Sequence, residues 1–131
     1  MIFTLRSHHG FRRSTEDILS AYQIFRDKAE VAVVSVCETD HTPLWCNTLS
    51  KEYSLDGFIR PECNVQRQEA QKYYRLNGAI YMVYVKKLSE DANLYRKGSF
   101  AYIMEPQKSV DIDTELDFLY AELIGDKLGR E

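Results

Sequence analysis

Seven consecutive residues, Val31-Ala32-Val33-Val34-Ser35-Val36-Cys37, hold four valines and one polar side chain. The run is far too short to span a bilayer, which takes about 20 apolar residues. Its β-branched side chains favour a strand, and the lack of polar alternation marks a strand covered on both faces. Such a strand needs helices packed on its sheet, and the preceding residues supply one. Ser14-Thr15-Glu16-Asp17 is a Ser-x-x-Asp capping box with acid in the first turn. Ile18, Ala21, Tyr22 and Phe25 follow at i, i+3, i+4 and i+7 and predict a helix from Thr15 to about Lys28. A helix feeding a doubly covered strand is the arrangement of an α/β sheet.

The rest of the chain continues that pattern with one interruption. Asn77-Gly78 is a tight-turn signal ahead of a second strand, Ala79 to Val85. A short helix from Lys86 to Ala92 and a third strand from Phe100 to Met104 follow. Thr114 and Asp117 form another capping box, with Leu116, Leu119, Tyr120 and Leu123 at helical spacing behind it. Met1 to Arg12 has no clear period and reads as a loose start. The interruption runs from Glu38 to Arg75: it is polar, broken by Pro43 and Pro61, and carries Trp45, Tyr53, Phe58, Tyr73 and Tyr74. An excursion that long is usually functional or packs on something outside its domain. The 131 residues suit one domain, 1–131, from which 38–75 departs.

Charge and cysteines exclude several classes. A net charge of −3 with scattered basic residues gives no stripe for nucleic acid. Cys37, Cys46 and Cys63 are odd in number and widely spaced, which suits reduced thiols rather than a zinc knuckle or disulfide framework. His8, His9 and His41 lack metal-ligand spacing. Arg6, Arg12 and Arg13 precede no apolar segment of a secretory signal, so a cytoplasmic location and no membrane association are expected.

Three stretches could carry chemistry. Asp111-Ile112-Asp113, read as a strand end before a capped helix, sends two carboxylates to one face by period-2 geometry. Paired oxygens there suit Mg²⁺ when substrate phosphates supply other ligands; the alternative is a solvated Asp111 with Asp113 favouring the helix N-terminus. Gln66-Arg67-Gln68, with Arg60, Lys72 and Arg75 nearby, offers planar forks and directional amides for an anion, or else is a solvated loop. Asn77-Gly78-Ala79-Ile80-Tyr81 is either a ligand strand or a hairpin turn entering one.

In order along the chain, Gln66-Arg67-Gln68, Tyr74-Arg75-Leu76-Asn77-Gly78-Ala79-Ile80-Tyr81 and Ser109-Val110-Asp111-Ile112-Asp113-Thr114-Glu115-Leu116-Asp117 closely resemble the acylneuraminate cytidylyltransferases, the CMP-sialic acid synthetases. The resemblance runs from about Arg13 to the C-terminus. It implies a Rossmann-like nucleotidyltransferase sheet with a protruding dimerisation segment, which 38–75 would supply. It also implies transfer of CMP from CTP to an acidic nine-carbon sugar of the sialic acid type, with release of pyrophosphate. By the same resemblance Asp111 and Asp113 are the catalytic, Mg²⁺-binding pair. Arg67 and Gln68, Asn77, Gly78, Ala79 and Tyr81, and Leu94 and Tyr95 fall at substrate-binding positions. Arg67 would reach across a homodimer toward the acidic sugar, and Leu94 and Tyr95 would meet its N-acyl methyl.

The chain departs from that family at three places. Trp45 stands after Pro43-Leu44 where some members carry Lys, and Ala70-Gln71 replaces a frequent Leu-Pro. The family's opening strand, its Gly- and basic-rich triphosphate loop and its Gln-Pro-Thr-Ser-Pro stretch have no counterpart before Arg13. The expectation is therefore a C-terminal part of the enzyme with an incomplete nucleotide site. The alternative is a remnant that dimerises or binds acidic sugar without turnover.

Overall fold

The computed structural model describes residues 2–4, 14–63 and 71–128. Residues 1–37 with 76–131 form one unit and 38–75 a second. In the first, strand β1 (Ile2–Thr4) precedes helix α1 (Thr15–Asp27) and strand β2 (Ala32–Glu38). Strand β3 (Tyr74–Val83), helix α2 (Val85–Glu90), strand β4 (Ser99–Met104) and helix α3 (Glu115–Leu128) follow. The strands make one mixed sheet in the order β1-β3-β2-β4, with β4 parallel to β2 and β1 antiparallel to β3. Thr39 N–H donates to Tyr73 O and Tyr84 N–H to Val31 O, so β2 and β3 run antiparallel. Among the described residues no helix is long and apolar enough to cross a membrane.

The valine run forms the expected strand, and both of its faces are covered. Val33 joins Ala21 and Phe25 of α1 with Ile80, Met82 and Met104 in one core. On the opposite face Ala32 and Val34 pack with Val83 and Val31, beneath Tyr81, Leu88 and Leu94. The α1 capping box is also as read: Asp17 N–H donates to Ser14 Oγ, and Ser14 N–H returns to the Asp17 carboxylate at 3.0 Å.

Three expectations are corrected. Ile2–Thr4 is not loose but pairs with Val83–Tyr81; β3 offers an open edge, and that partner is invisible in a three-residue segment. Asn77-Gly78 closes no hairpin and lies inside β3, which begins five residues before Ala79. Gly78 sits at φ +71°, where the chain bulges within the strand instead of reversing. Finally, β4 ends at Met104 and a 3₁₀ turn, Pro106–Lys108, separates it from Asp111. Pro106 has no N–H to continue a ladder, so Asp111 and Asp113 stand on an irregular segment and not at a strand end.

Asp17 ties the layers together. It is buried, and besides its cap bonds it accepts from Tyr102 Oη at 3.0 Å and Lys108 Nζ at 3.2 Å. Burial opposes its charge, but the bonds from Ser14, Tyr102 and Lys108 outweigh burial and hold its pKa below the ordinary carboxylate value. Burial and then the Asp17 bond push Tyr102 up to about 12. The depressed Asp17 pKa gives stability that is fully present above about pH 4 and lost as pH falls through the folded value. The raised Tyr102 pKa gives stability that is present below about pH 10 and lost as pH rises through about 12. Asp17→Asn should lower urea-unfolding stability by about 1–3 kcal/mol at pH 7, and the gap to wild type should narrow at pH 3. An undiminished gap at pH 3 would mean the carboxylate charge is not what stabilises this corner.

Candidate functional site

The bulge in β3 is built around one amide side chain. Asn77 is buried, and its Oδ1 accepts from Ser35 Oγ at 2.6 Å and from Ala79 N–H at 3.2 Å. Its Nδ2 donates to Ser109 Oγ at 2.9 Å and contacts Met104 Sδ at 3.4 Å. Ser35, the one polar residue of the valine run, accepts from Ile80 N–H at 2.7 Å. Side chains therefore satisfy the amides that the bulge displaces, as buried polar groups require. Ser109 is fully buried and donates to Glu105 O, which fixes the base of the Asp111 segment. Above that base Asp111 and Asp113 are exposed and Ile112 is half-buried, so the carboxylates face water. The second capping box forms as read: Asp117 N–H donates to Thr114 Oγ1 at 3.2 Å, and Thr114 N–H to the Asp117 carboxylate at 2.9 Å. Those bonds hold the Asp117 carboxyl below its ordinary pKa.

The structure thus joins two of the three sequence stretches across 32 residues, through Asn77 and Ser109. Ala79 is buried and Gly78 half-buried beside them. Tyr81 and Leu94 meet instead on the opposite sheet face, around Val34 and Val83. There Leu94 and Tyr95, with Leu76, Val36 and Phe100, line a groove of about 270 Å³. Two further atoms of its lining residues, Arg96 Nε and Ser99 Oγ, are buried without a hydrogen-bond partner. Leu76 and Asn77 are neighbours in β3 and serve the two faces in turn. Arg67 and Gln68 lie outside the described residues. Among the described residues no three His, Cys, Asp or Glu side chains gather as a metal cluster.

The 38–75 unit has a pocket of its own, about 180 Å³, lined by residues that include His41, Trp45, Gln71, Lys72 and Tyr73. Lys72 pairs with Glu38 at 2.9 Å, which raises the Lys72 pKa. Sequence reading passed over Ser35 and Ser109 as site-shaping residues. A serine inside a valine run is a detectable signal, since a buried hydroxyl must find a partner; Ser109 carries no comparable one.

Asn77→Ala should cost about 2–4 kcal/mol in urea unfolding, because Ser35 Oγ, Ala79 N–H and Ser109 Oγ each lose a buried partner. A loss below about 0.5 kcal/mol, the usual size for a surface change, would show that the network does not hold the bulge.

No family model matches the chain. The N-acylneuraminate cytidylyltransferase of Streptococcus agalactiae serotype V is 32% identical over 89 residues, covering 67% of this chain and 21% of that protein. The CMP-N,N'-diacetyllegionaminic acid synthase of Legionella pneumophila is 28% identical over 117 residues, covering 84% of this chain and 47% of that one. The N-acylneuraminate cytidylyltransferase of Escherichia coli O18:K1:H7 is 28% identical over 122 residues, covering 92% of this chain and 29% of that enzyme. The chain spans less than half the length of each of these curated relatives.

Proposed function

This chain belongs with the N-acylneuraminate cytidylyltransferases and CMP-legionaminic acid synthases, as a relative of part of their length, and on that premise we propose that it supplies the metal-binding and acceptor-sugar side of a cytidylyl transfer. The reaction is attack of an acidic nine-carbon sugar's anomeric hydroxyl on the α-phosphorus of CTP, with pyrophosphate leaving. The observation that carries the reading is the Asn77–Ser109 bond, which supports the exposed Asp111 and Asp113 from the strand that bears the sugar-side motif.

The donor set fits Mg²⁺, which is commonly held by one or two carboxylates and completes its shell with water and phosphate oxygens. Asp111 and Asp113 would hold it, and it would supply neutralisation of phosphate charge. Leu94, Tyr95 and Tyr81 offer apolar and aromatic wall for the sugar's substituents. Arg67 and Gln68 would contact the sugar's carboxylate from a second copy of the chain, brought there by the 38–75 unit in a homodimer. Two aspartates by themselves present only negative charge to CTP, and phosphoryl transfer needs backbone N–H groups and basic side chains around the phosphates. The 131 residues alone are therefore expected not to turn over CTP.

A pyrophosphate-release assay with CTP, Mg²⁺ and sialic, legionaminic or pseudaminic acid tests this directly. The expected result is no turnover by the chain alone, and turnover when a polypeptide carrying the relatives' nucleotide half is co-expressed. That turnover should fall by about 10²-fold or more with Asp111→Asn, as expected when a ligand of the phosphate-neutralising metal is lost. Activity untouched by both Asp111→Asn and Asp113→Asn would remove the pair from the mechanism. In the same complex Arg67→Lys should weaken sugar binding, measured by calorimetry, and leave CTP binding unchanged, because the planar fork is lost while the charge is kept. Equal weakening of both ligands would mean Arg67 supports the fold or the dimer.

A further inference from the structure

Asp17 is the one buried charged side chain among the described residues, and helix capping does not account for its burial. The box at the start of α1 uses a single oxygen: Asp17 Oδ2 accepts from Ser14 N–H at 3.0 Å and from Ser14 Oγ at 2.6 Å. Asp117 closes the same box at α3 through one oxygen while lying only half-buried. The second oxygen of Asp17 sets it apart. Oδ1 accepts from Tyr102 Oη and from Lys108 Nζ, 91 residues away in sequence. Taking a carboxylate out of water is costly and is tolerated where several donors meet it. Here the donors include a lysine that lies three residues before Asp111.

Lys108 ends the 3₁₀ turn Pro106–Lys108, and Ser109 follows it. These two neighbours are held from different elements, Lys108 by Asp17 of α1 and Ser109 by Asn77 of β3. A chain held at one point still pivots about it, and a second hold on the adjacent residue removes the pivot. Asp111 stands two residues further, at most about 7 Å of extended chain. Beyond it, Asp113 N–H donates to the Asp117 carboxylate at 3.3 Å. We propose that the Asp17–Lys108 ion pair positions the Asp111 and Asp113 carboxylates, with Lys108 acting through the chain and not on substrate; this rests on the reading of those carboxylates as a metal-binding pair. Ligands of one ion must be held to about 0.5 Å, and exposed side chains such as these take their position from the backbone beneath them.

The test uses the full chain and compares Lys108→Met and Lys108→Gln, which remove the charge, with Lys108→Arg and Tyr102→Phe, each checked for fold by circular dichroism. One readout is backbone NMR relaxation of the Asp111, Ile112 and Asp113 amides without metal. The other is the dissociation constant for Mn²⁺, the probe of the divalent site, by calorimetry. Charge alone predicts that removing the Lys108 ammonium tightens Mn²⁺ binding, because a nearby positive charge repels the ion. Positioning predicts the opposite sign. Lys108→Met and Lys108→Gln should raise the mobility of the three amides and weaken Mn²⁺ binding about 10-fold, the low end for loss of a group that supports metal ligands. Lys108→Arg, which can still reach Asp17, should restore both readouts. Tyr102→Phe removes the other Oδ1 bond of the same corner and should leave both near wild type, whereas general loosening of the corner would move them. Mn²⁺ binding that tightens or stays unchanged without the Lys108 charge, or amide mobility that stays unchanged, overturns the proposal. A wild-type chain that binds no Mn²⁺ would instead sink the metal reading of the pair, and the amide relaxation would still decide whether Lys108 holds the segment.

Discussion

The hydrogen bonds of Asn77 are the constraint on which the bulged strand and the segment leading to Asp111 depend. A bulge in a central strand displaces backbone amides that water does not reach, and each would be costly if left unmade. Asn77 and Ser35 satisfy those amides with side chains, and Asn77 has one donor left for Ser109. The same residue that makes the bulge tolerable thereby fixes the start of the carboxylate segment. The exposed Asp111 and Asp113 thus stand on a segment held by a buried structural network one layer below.

The sheet has two faces of different character. The α1 face is closed by a capped helix whose Asp17 reaches Tyr102 and Lys108, giving a rigid corner beneath the 3₁₀ turn that leads to Ser109. Among the described residues the other face is covered at one end, where Leu88 of α2 and Leu94 lie. Its open end is apolar, has orphaned polar atoms at Arg96 and Ser99, and includes Leu94 and Tyr95.

What was legible in the sequence is local in origin. Two capping boxes, the α1 stripe and the valine strand follow from interactions within a few residues, and each stands where the sequence places it. The misread elements all depend on distant partners. Asn77-Gly78 is chemically a turn, and only Ser35 and Ser109, far away in sequence, make it a bulge. Met1 to Arg12 has no pattern, and only the open edge of β3 turns Ile2–Thr4 into a strand. The α3 periodicity is real, yet periodicity reports that a face is apolar and not which surface it meets.

The sequence by itself therefore determined the helix starts, the doubly covered strand and the residue types of the carboxylate and sugar-side motifs, because short-range capping, β-branching and charge act within one or two turns of chain. Only the tertiary structure decided that Asn77 is a buried hub and that Asp111 and Asp113 stand on an irregular segment pinned by Ser109. Among the described residues it also leaves Leu116, Leu119, Tyr120 and Leu123 of α3 exposed. Those outcomes depend on which groups from distant segments share the little polar space inside a packed core, and no local interaction encodes that choice.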